Sequence, residues 1–258
     1  MKEILNLMKD HNAFLLNSIY CGLSEHHWFH VQEYPERGTL KKYIGNGAIK
    51  EKAAKFYSSC IVLAIEFLHF NNIMHRNITL ENVVVDGAGF AKLSDFHHCK
   101  ANMKLNDTTR TVYKDDVYKA PEMAKSKGDT KGIDWFALGV CLHYMALGTF
   151  LNNSKNTLRH RKKLSNDSNS LISELIESNP GVRLGNTLEG TESVKNHRFF
   201  KCVDWENLRK RNIEPPIKPK LDQITYMDSL ESDFLSDSKM FSVILIFKKL
   251  RICNRNLI

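Results

Sequence analysis

The stretch from Met74 to Phe96 constrains this chain more than any other. Three consecutive valines, Val83, Val84 and Val85, are followed by Asp86-Gly87, by Gly89 and by the apolar run Phe90 to Leu93. That pattern predicts two short strands closed by a tight turn. A hairpin this small has no stability of its own in water, so it must pack against something larger. Helical periodicity marks the chain on both sides of it. From Glu51 to Asn71 the residues Tyr57, Ile61, Ala64, Ile65 and Leu68 fall on one face of a long helix. Trp135, Leu138, Leu142 and Met145 step by three and four over Asp134 to Leu147, and Leu171, Ile172, Leu175 and Ile176 mark a third helix. Proline and glycine then punctuate the chain at Asn179-Pro180-Gly181, Leu184-Gly185 and Pro215-Pro216, and the last stretch reads as a tail. Periodicity alone describes a mostly helical globular domain with a small hairpin.

Composition narrows the class. Of 258 residues 42% are hydrophobic, with 13 glycines and 6 prolines, which suits a packed core and excludes a wholly disordered or collagen-like chain. Lys2, Glu3, Lys9 and Asp10 interrupt the N-terminus, so no secretory leader is predicted. The longest apolar run, Phe241 to Phe247, falls far short of the ~18–20 residues that span a bilayer, so no membrane span and a cytoplasmic location are expected. The six cysteines are scattered singly and read as reduced thiols. The net charge of +8 concentrates at Lys155 to Lys163 and Phe247 to Arg255. Solvated basic loops account for both runs. No nucleic-acid motif accompanies them, and no nucleic-acid partner is expected.

The chemistry sits around the hairpin. It is bracketed by His75-Arg76-Asn77, a loop ending at Asn82, and Ser94-Asp95-Phe96-His97, with Ala120-Pro121-Glu122 following. In order and context these segments, HRNITLEN, DFH and APE, resemble the catalytic core of the eukaryotic protein kinases, whose pattern is H-R-D-L-x-x-x-N, D-F-G and A-P-E. The helix opening DWFALGV at Asp134, then NPGVRLGN, KNHRFF, VDWENL and EPPIKP, narrow the resemblance to the AGC serine/threonine group. The stretch from RLGN to EPPIKP is most similar to the cGMP-dependent kinases, although the chain shows no cyclic-nucleotide-binding module from which regulation by cGMP could be inherited. The resemblance covers about Met1 to Pro219.

The resemblance implies an α+β, protein-kinase-like fold: a remnant N-lobe with the regulatory helix and two strands over residues 1–34, a mainly helical C-lobe over 35–200, and an AGC-like tail over 201–258. Phosphoryl transfer in such a fold needs a phosphate-covering glycine loop, a lysine held by a helix glutamate, two metal-binding residues and an aspartate that accepts the substrate proton. Asn82 and Asp95 match the two metal positions and read either as magnesium ligands or as relics that bind nothing. Asn77 stands at the position of the catalytic base, where a neutral amide cannot act as a carboxylate. Thr79 replaces the lysine that contacts the transferred phosphate. His97 replaces the glycine after Asp95-Phe96. Met1 falls at the lysine-pairing glutamate of the regulatory helix, so the glycine loop and lysine strand are expected to have no counterpart.

The remaining matches imply positions rather than chemistry. Trp28 to Tyr34 resembles the strand leading into the hinge, which puts Gln32 at the gatekeeper position and Glu33 to Pro35 in the hinge, with Glu33 and Pro35 as the residual nucleotide contacts. His75, Arg76, Phe96, Glu122, Asp134 and Arg183 are expected to be structural, Glu122 and Arg183 as an ion pair holding the activation segment to the lobe. Thr111 sits where the family is phosphorylated, with Arg76 as its partner, or is a bare surface threonine. TRTVYKDDVY departs from the family's T-x-T-x-C-G-T-P-E-Y, so substrate docking is expected to be impaired. One C-lobe helix between Phe150 and Asn179 is in doubt. His26, His27 and His30, like His97 and His98, are spaced too irregularly for a metal site. The reading that results is an inactive, kinase-like binding or scaffold protein with an unidentified protein partner, weak or absent ATP and magnesium, and no membrane span. A serine/threonine kinase with residual activity, or an incomplete gene product of one, is the alternative.

Overall fold

The structure is a computed structural model that describes residues 12–23, 28–45, 47–104, 107–109, 117–124, 128–151 and 164–217. Two antiparallel hairpins and a set of helices make the α+β architecture. Strands β1 (Ser18–Leu23) and β2 (Trp28–Gln32) pair with Leu23 opposite Trp28 and Ser18 opposite Gln32, and the register is irregular between Ser18 and Tyr20. Strands β3 (Val83–Val85) and β4 (Ala91–Leu93) pair Val83 with Leu93 and Val85 with Ala91. The turn between them is closed by Asp86, whose Oδ1 accepts from the N–H groups of Ala88 and Phe90. The chain before β1 is stitched to this hairpin, with Leu16 N–H donating to Leu93 and Leu93 N–H to Phe14, each at 2.8 Å.

The helices are α1 (Leu40–Ile44), α2 (Glu51–Phe70), α3 (Pro121–Ala124), α4 (Gly132–Leu147), α5 (Asn166–Leu175), α6 (Thr191–Lys195) and α7 (Trp205–Arg209). Single 3₁₀ turns lie at Phe96–His98 and Arg198–Phe200. Helix α2 is long and apolar enough to cross a membrane, but two-thirds of it is buried. It packs on α4, β4 and α6 as the central core helix. Tyr57, Ile61, Ile65 and Leu68 are buried with Trp135, Leu138, Leu142 and Met145 in one core. Every residue of α4 from Gly132 to Met145 is buried, as a helix apolar all round requires.

Helix ends show why these segments stop where they do. Ser165 caps α5, its Oγ accepting from Ser168 N–H at 3.1 Å, and Ser168 Oγ donates to Glu51 Oε2 at 2.8 Å, which joins α5 to the start of α2. At the other end of α2, Lys131 Nζ donates to the His69 carbonyl at 2.7 Å, placing a cation where the helix dipole favours one. Gly185 has φ +84°, and a Cβ there would lie 2.6 Å from the Trp135 ring, so only glycine lets this loop close over the α4 indole. Thr111, the regulatory-helix segment at the N-terminus, the basic run 155–163 and the tail beyond 217 lie outside the described residues.

Candidate functional site

The site is a loop hung from a buried carboxylate. Asp134, 1% exposed at the start of α4, accepts three hydrogen bonds: from His69 Nε2 at 2.8 Å, His75 N–H at 2.9 Å and Arg76 N–H at 2.8 Å. Burial raises this carboxyl, but the hydrogen bond and charge of His69, together with His75, bring it below the ordinary range. Arg76 has φ +68°, a conformation held by the bonds from its own amide and that of His75 to Asp134. Its Nε donates to the His98 carbonyl at 2.5 Å. His75 is fully buried, its Nε2 lies 3.0 Å from the Ser94 carbonyl, and it meets Phe96 edge-on with centroids 5.4 Å apart. Burial pushes the His75 imidazole below its ordinary pKa.

Asn77 and Asp95 meet directly. Asn77 Nδ2 donates to Asp95 Oδ2 at 2.8 Å, and His97 Nδ1 sits 2.8 Å from the other oxygen, Oδ1. An amide facing a carboxylate must present its N–H₂ group, so residue 77 is a donor here. Burial alone would raise the Asp95 carboxyl, yet the hydrogen bond and charge of His97, with the charge of His75, outweigh it and hold it down at about 2. The same hydrogen bond lifts His97 above its ordinary value against the effect of burial. Asp95 itself is left-handed at φ +59° and caps the short turn Phe96–His98.

Asn82 joins this pair indirectly, its Nδ2 donating to the Asn77 carbonyl at 3.0 Å while its own carbonyl accepts from Ser94 N–H and Oγ at 2.8 and 2.7 Å. Thr79 is 6% exposed, and its Oγ1 accepts from Asn82 N–H at 3.1 Å. Among the described residues, no group of three His, Cys, Asp or Glu side chains could hold a metal ion.

The residues expected in the hinge have partners of their own. Glu33 is tied inward, with Oε1 accepting from Lys92 Nζ at 2.6 Å and from Asn17 N–H at 2.8 Å, and Pro35 is buried. Gln32 keeps a buried Nε2 without a hydrogen-bond partner among the described residues. Arg183 reaches Glu122 through two parallel hydrogen bonds, Nη1 to Oε1 at 2.5 Å and Nη2 to Oε2 at 2.8 Å. It also donates to the carbonyls of Gly132 and Glu177, at 3.0 and 2.8 Å. His69, the donor role of Asn77 and the His97 contact to Asp95 are absent from the sequence reading. The sequence carries a signal for His69 alone, which continues the Ile61 and Ile65 spacing as a polar residue at the end of an otherwise apolar helical face.

Residues 1–200 match the protein kinase domain. The chain is 30% identical over 242 residues to serine/threonine-protein kinase N2 of Danio rerio, covering 90% of this chain and 25% of that protein. It is 34% identical over 227 residues to the cAMP-dependent protein kinase catalytic subunit PRKX of Mus musculus, covering 83% and 63%. Against protein kinase C eta type of Homo sapiens it is 30% identical over 256 residues, covering 94% and 37%. The chain thus spans between a quarter and just under two-thirds of the length of these relatives.

Proposed function

Because the chain belongs to the protein kinase family and its relatives are AGC kinases, we propose that it is a pseudokinase: a kinase-fold protein that acts by binding or scaffolding and does not transfer phosphate. Within that group the RLGN to EPPIKP stretch favours a place near the cGMP-dependent branch. One observation carries the proposal. The residue at the base position donates a hydrogen bond to Asp95, whereas a general base must accept a proton from the substrate hydroxyl. Thr79 offers no cation to the transferred phosphate, and its hydroxyl is already used within the loop.

The family's cofactors, ATP and magnesium, bind weakly or not at all on this reading. Each Asp95 oxygen already accepts a hydrogen bond, one of them from an imidazole whose positive form repels a cation. Magnesium relies on such a carboxylate for its anionic oxygen. Asn82 turns its N–H₂ toward Asn77, and the Glu33 carboxylate is engaged by Lys92. The residues as they stand do not suit the metal.

The test is incubation of the purified chain with radiolabelled ATP, magnesium and a basic peptide. Incorporation no greater than that of an Asp95→Ala control is the expected result. Incorporation that disappears in Asp95→Ala would overturn the proposal in favour of a kinase with residual activity. The retained pair Asn82 and Asp95, the latter in its left-handed conformation, is the observation on that side.

A further inference from the structure

A groove among the helices plays no part in the reading above. It has a volume of about 850 Å³ and lies between the end of α5, the turn before α4 and the loop that leads into α6. None of its lining residues belongs to either hairpin or to the loop around Asn77. Its walls are fixed by hydrogen bonds: Asn186 Nδ2 donates to the Pro180 carbonyl at 2.7 Å, Leu184 N–H to the Glu174 carbonyl at 3.1 Å, and Gly185 N–H to Ser193 Oγ at 3.2 Å. On this frame two apolar side chains face solvent. Leu188 is 93% exposed, the highest value for a large apolar residue among the described residues, and Val182 is 65% exposed. The groove is also acidic, lined by Glu174 and Glu189 and by no lysine, arginine or histidine. The Glu189 carboxylate has no hydrogen-bond or ion-pair partner among the described residues.

Exposed apolar side chains beside unpaired negative charge suit an occupant that is both apolar and basic. One stretch of this same chain has that composition. From Lys239 to Ile258 there are five Lys or Arg and no Asp or Glu, and the longest apolar run of the sequence, Phe241 to Phe247, is followed directly by Lys248 and Lys249. A run of that kind left in water is an aggregation hazard and needs cover. The other basic run, 155–163, holds a single large apolar residue, Leu158, and cannot supply the apolar half. The 22 residues between Ile217 and Met240 can extend up to ~70 Å, enough to pass half-way round a compact domain roughly 40 Å across. We propose that Phe241 to Lys249 dock in this groove within the same molecule, the apolar run covering Val182 and Leu188 while Lys248 and Lys249 meet Glu189 and Glu174. The proposal does not depend on whether the chain transfers phosphate.

The experiment uses the full chain, with unlabelled and ¹⁵N-labelled copies mixed and treated with a water-soluble carbodiimide, which joins a carboxylate to an amine only where the two touch. Mass spectrometry of the digested product separates links within one chain from links between two. The expected link joins Glu189 or Glu174 to Lys248 or Lys249 within one chain. Chymotryptic cleavage after Phe241 and Phe247 reads the undocked fraction. It is expected to run at least about fivefold faster in the double variant Val182→Ser, Leu188→Ser, which removes the apolar contact, than in the parent. Glu189→Lys, which turns the groove's charge against Lys248 and Lys249, is expected to act in the same direction. Each variant is first checked for a parent-like circular dichroism spectrum, and whichever folds decides the outcome. Absence of the link, a link that joins labelled to unlabelled chains and so seats a second copy in the groove, or cleavage at the parent rate in a folded variant would each overturn the proposal.

Discussion

Arg183 and Glu122, 61 positions apart in sequence, face each other as a planar fork against a carboxylate, the arginine 0% and the glutamate 5% exposed. Two charges taken this far out of water are tolerable only together. The arginine also spends donors on Gly132 and Glu177, so α3, the start of α4 and the loop after α5 converge on one guanidinium.

Glu122→Ala is therefore expected to leave a buried, uncompensated cation, at about 3–5 kcal/mol. For a chain of this size that is a fall in Tm of roughly 6–20 °C. Differential scanning calorimetry decides it, and a variant that melts with the parent would contradict the buried pairing.

Asn77→Asp is expected to harm the fold without creating a kinase. It replaces a donor to Asp95 Oδ2 with a second carboxylate at the same place, at a cost on the order of 1–3 kcal/mol at neutral pH. Magnesium then has two carboxylates to bridge, so the ion should raise the Tm of this variant more than that of the parent. Thermal denaturation with and without magnesium, beside a radiolabel assay, tests both halves. Thr79 and His97 remain in place, which is why phosphotransfer is not expected to return.

Two histidines set opposite limbs of a pH profile. His75 has a folded pKa below its unfolded value of about 6.5, so acidification below that value protonates the unfolded chain first and stability falls. His97 has a folded pKa above its unfolded value. Its contribution is complete below about 6.5 and fades as the pH rises through the folded value. That limb is small, about 0.2–1 kcal/mol, because His97 and Asp95 are both about one-third exposed. Urea midpoints at pH 5, 6.5 and 8.5 should peak at the middle value, and His97→Asn should flatten the alkaline limb while leaving the acid limb intact.

Gly185→Ala is expected to cost about 1–3 kcal/mol, since the new methyl meets the Trp135 ring and the backbone is left-handed there. A shifted Trp fluorescence maximum should accompany the loss. An unchanged midpoint would mean that the loop closes elsewhere.

Long-period features were readable in the chain and short-range polar ones were not. The apolar face over Tyr57 to Leu68 suffices for α2 because burial alone selects that helix, and the helix ends at Phe70, one residue before the expected Asn71. Helix α4 begins at Gly132 instead of Asp134: the Thr130 hydroxyl accepts from Gly132 N–H, a local contact without periodicity. Helix α5 extends back to Asn166 through a polar first turn that carries no apolar spacing and depends on the Ser165 cap. In the site, the residues of the catalytic-loop motif could be located by order, but not their directions. Asn77 read only as a failed carboxylate, because nothing in HRNITLEN says which way its amide turns.

The suspension of the loop from Asp134 separates outline from chemistry. His69, His75 and Arg76 hold that carboxylate by a ring nitrogen and two backbone amides, and none of those bonds passes through residue 77, 79 or 97. Exchanging a side chain at one of those three positions therefore leaves the suspension itself in place, whatever it costs the loop in stability. A partner that recognises the relief of this face, and is indifferent to turnover, would meet the same surface in an inert chain as in a working one.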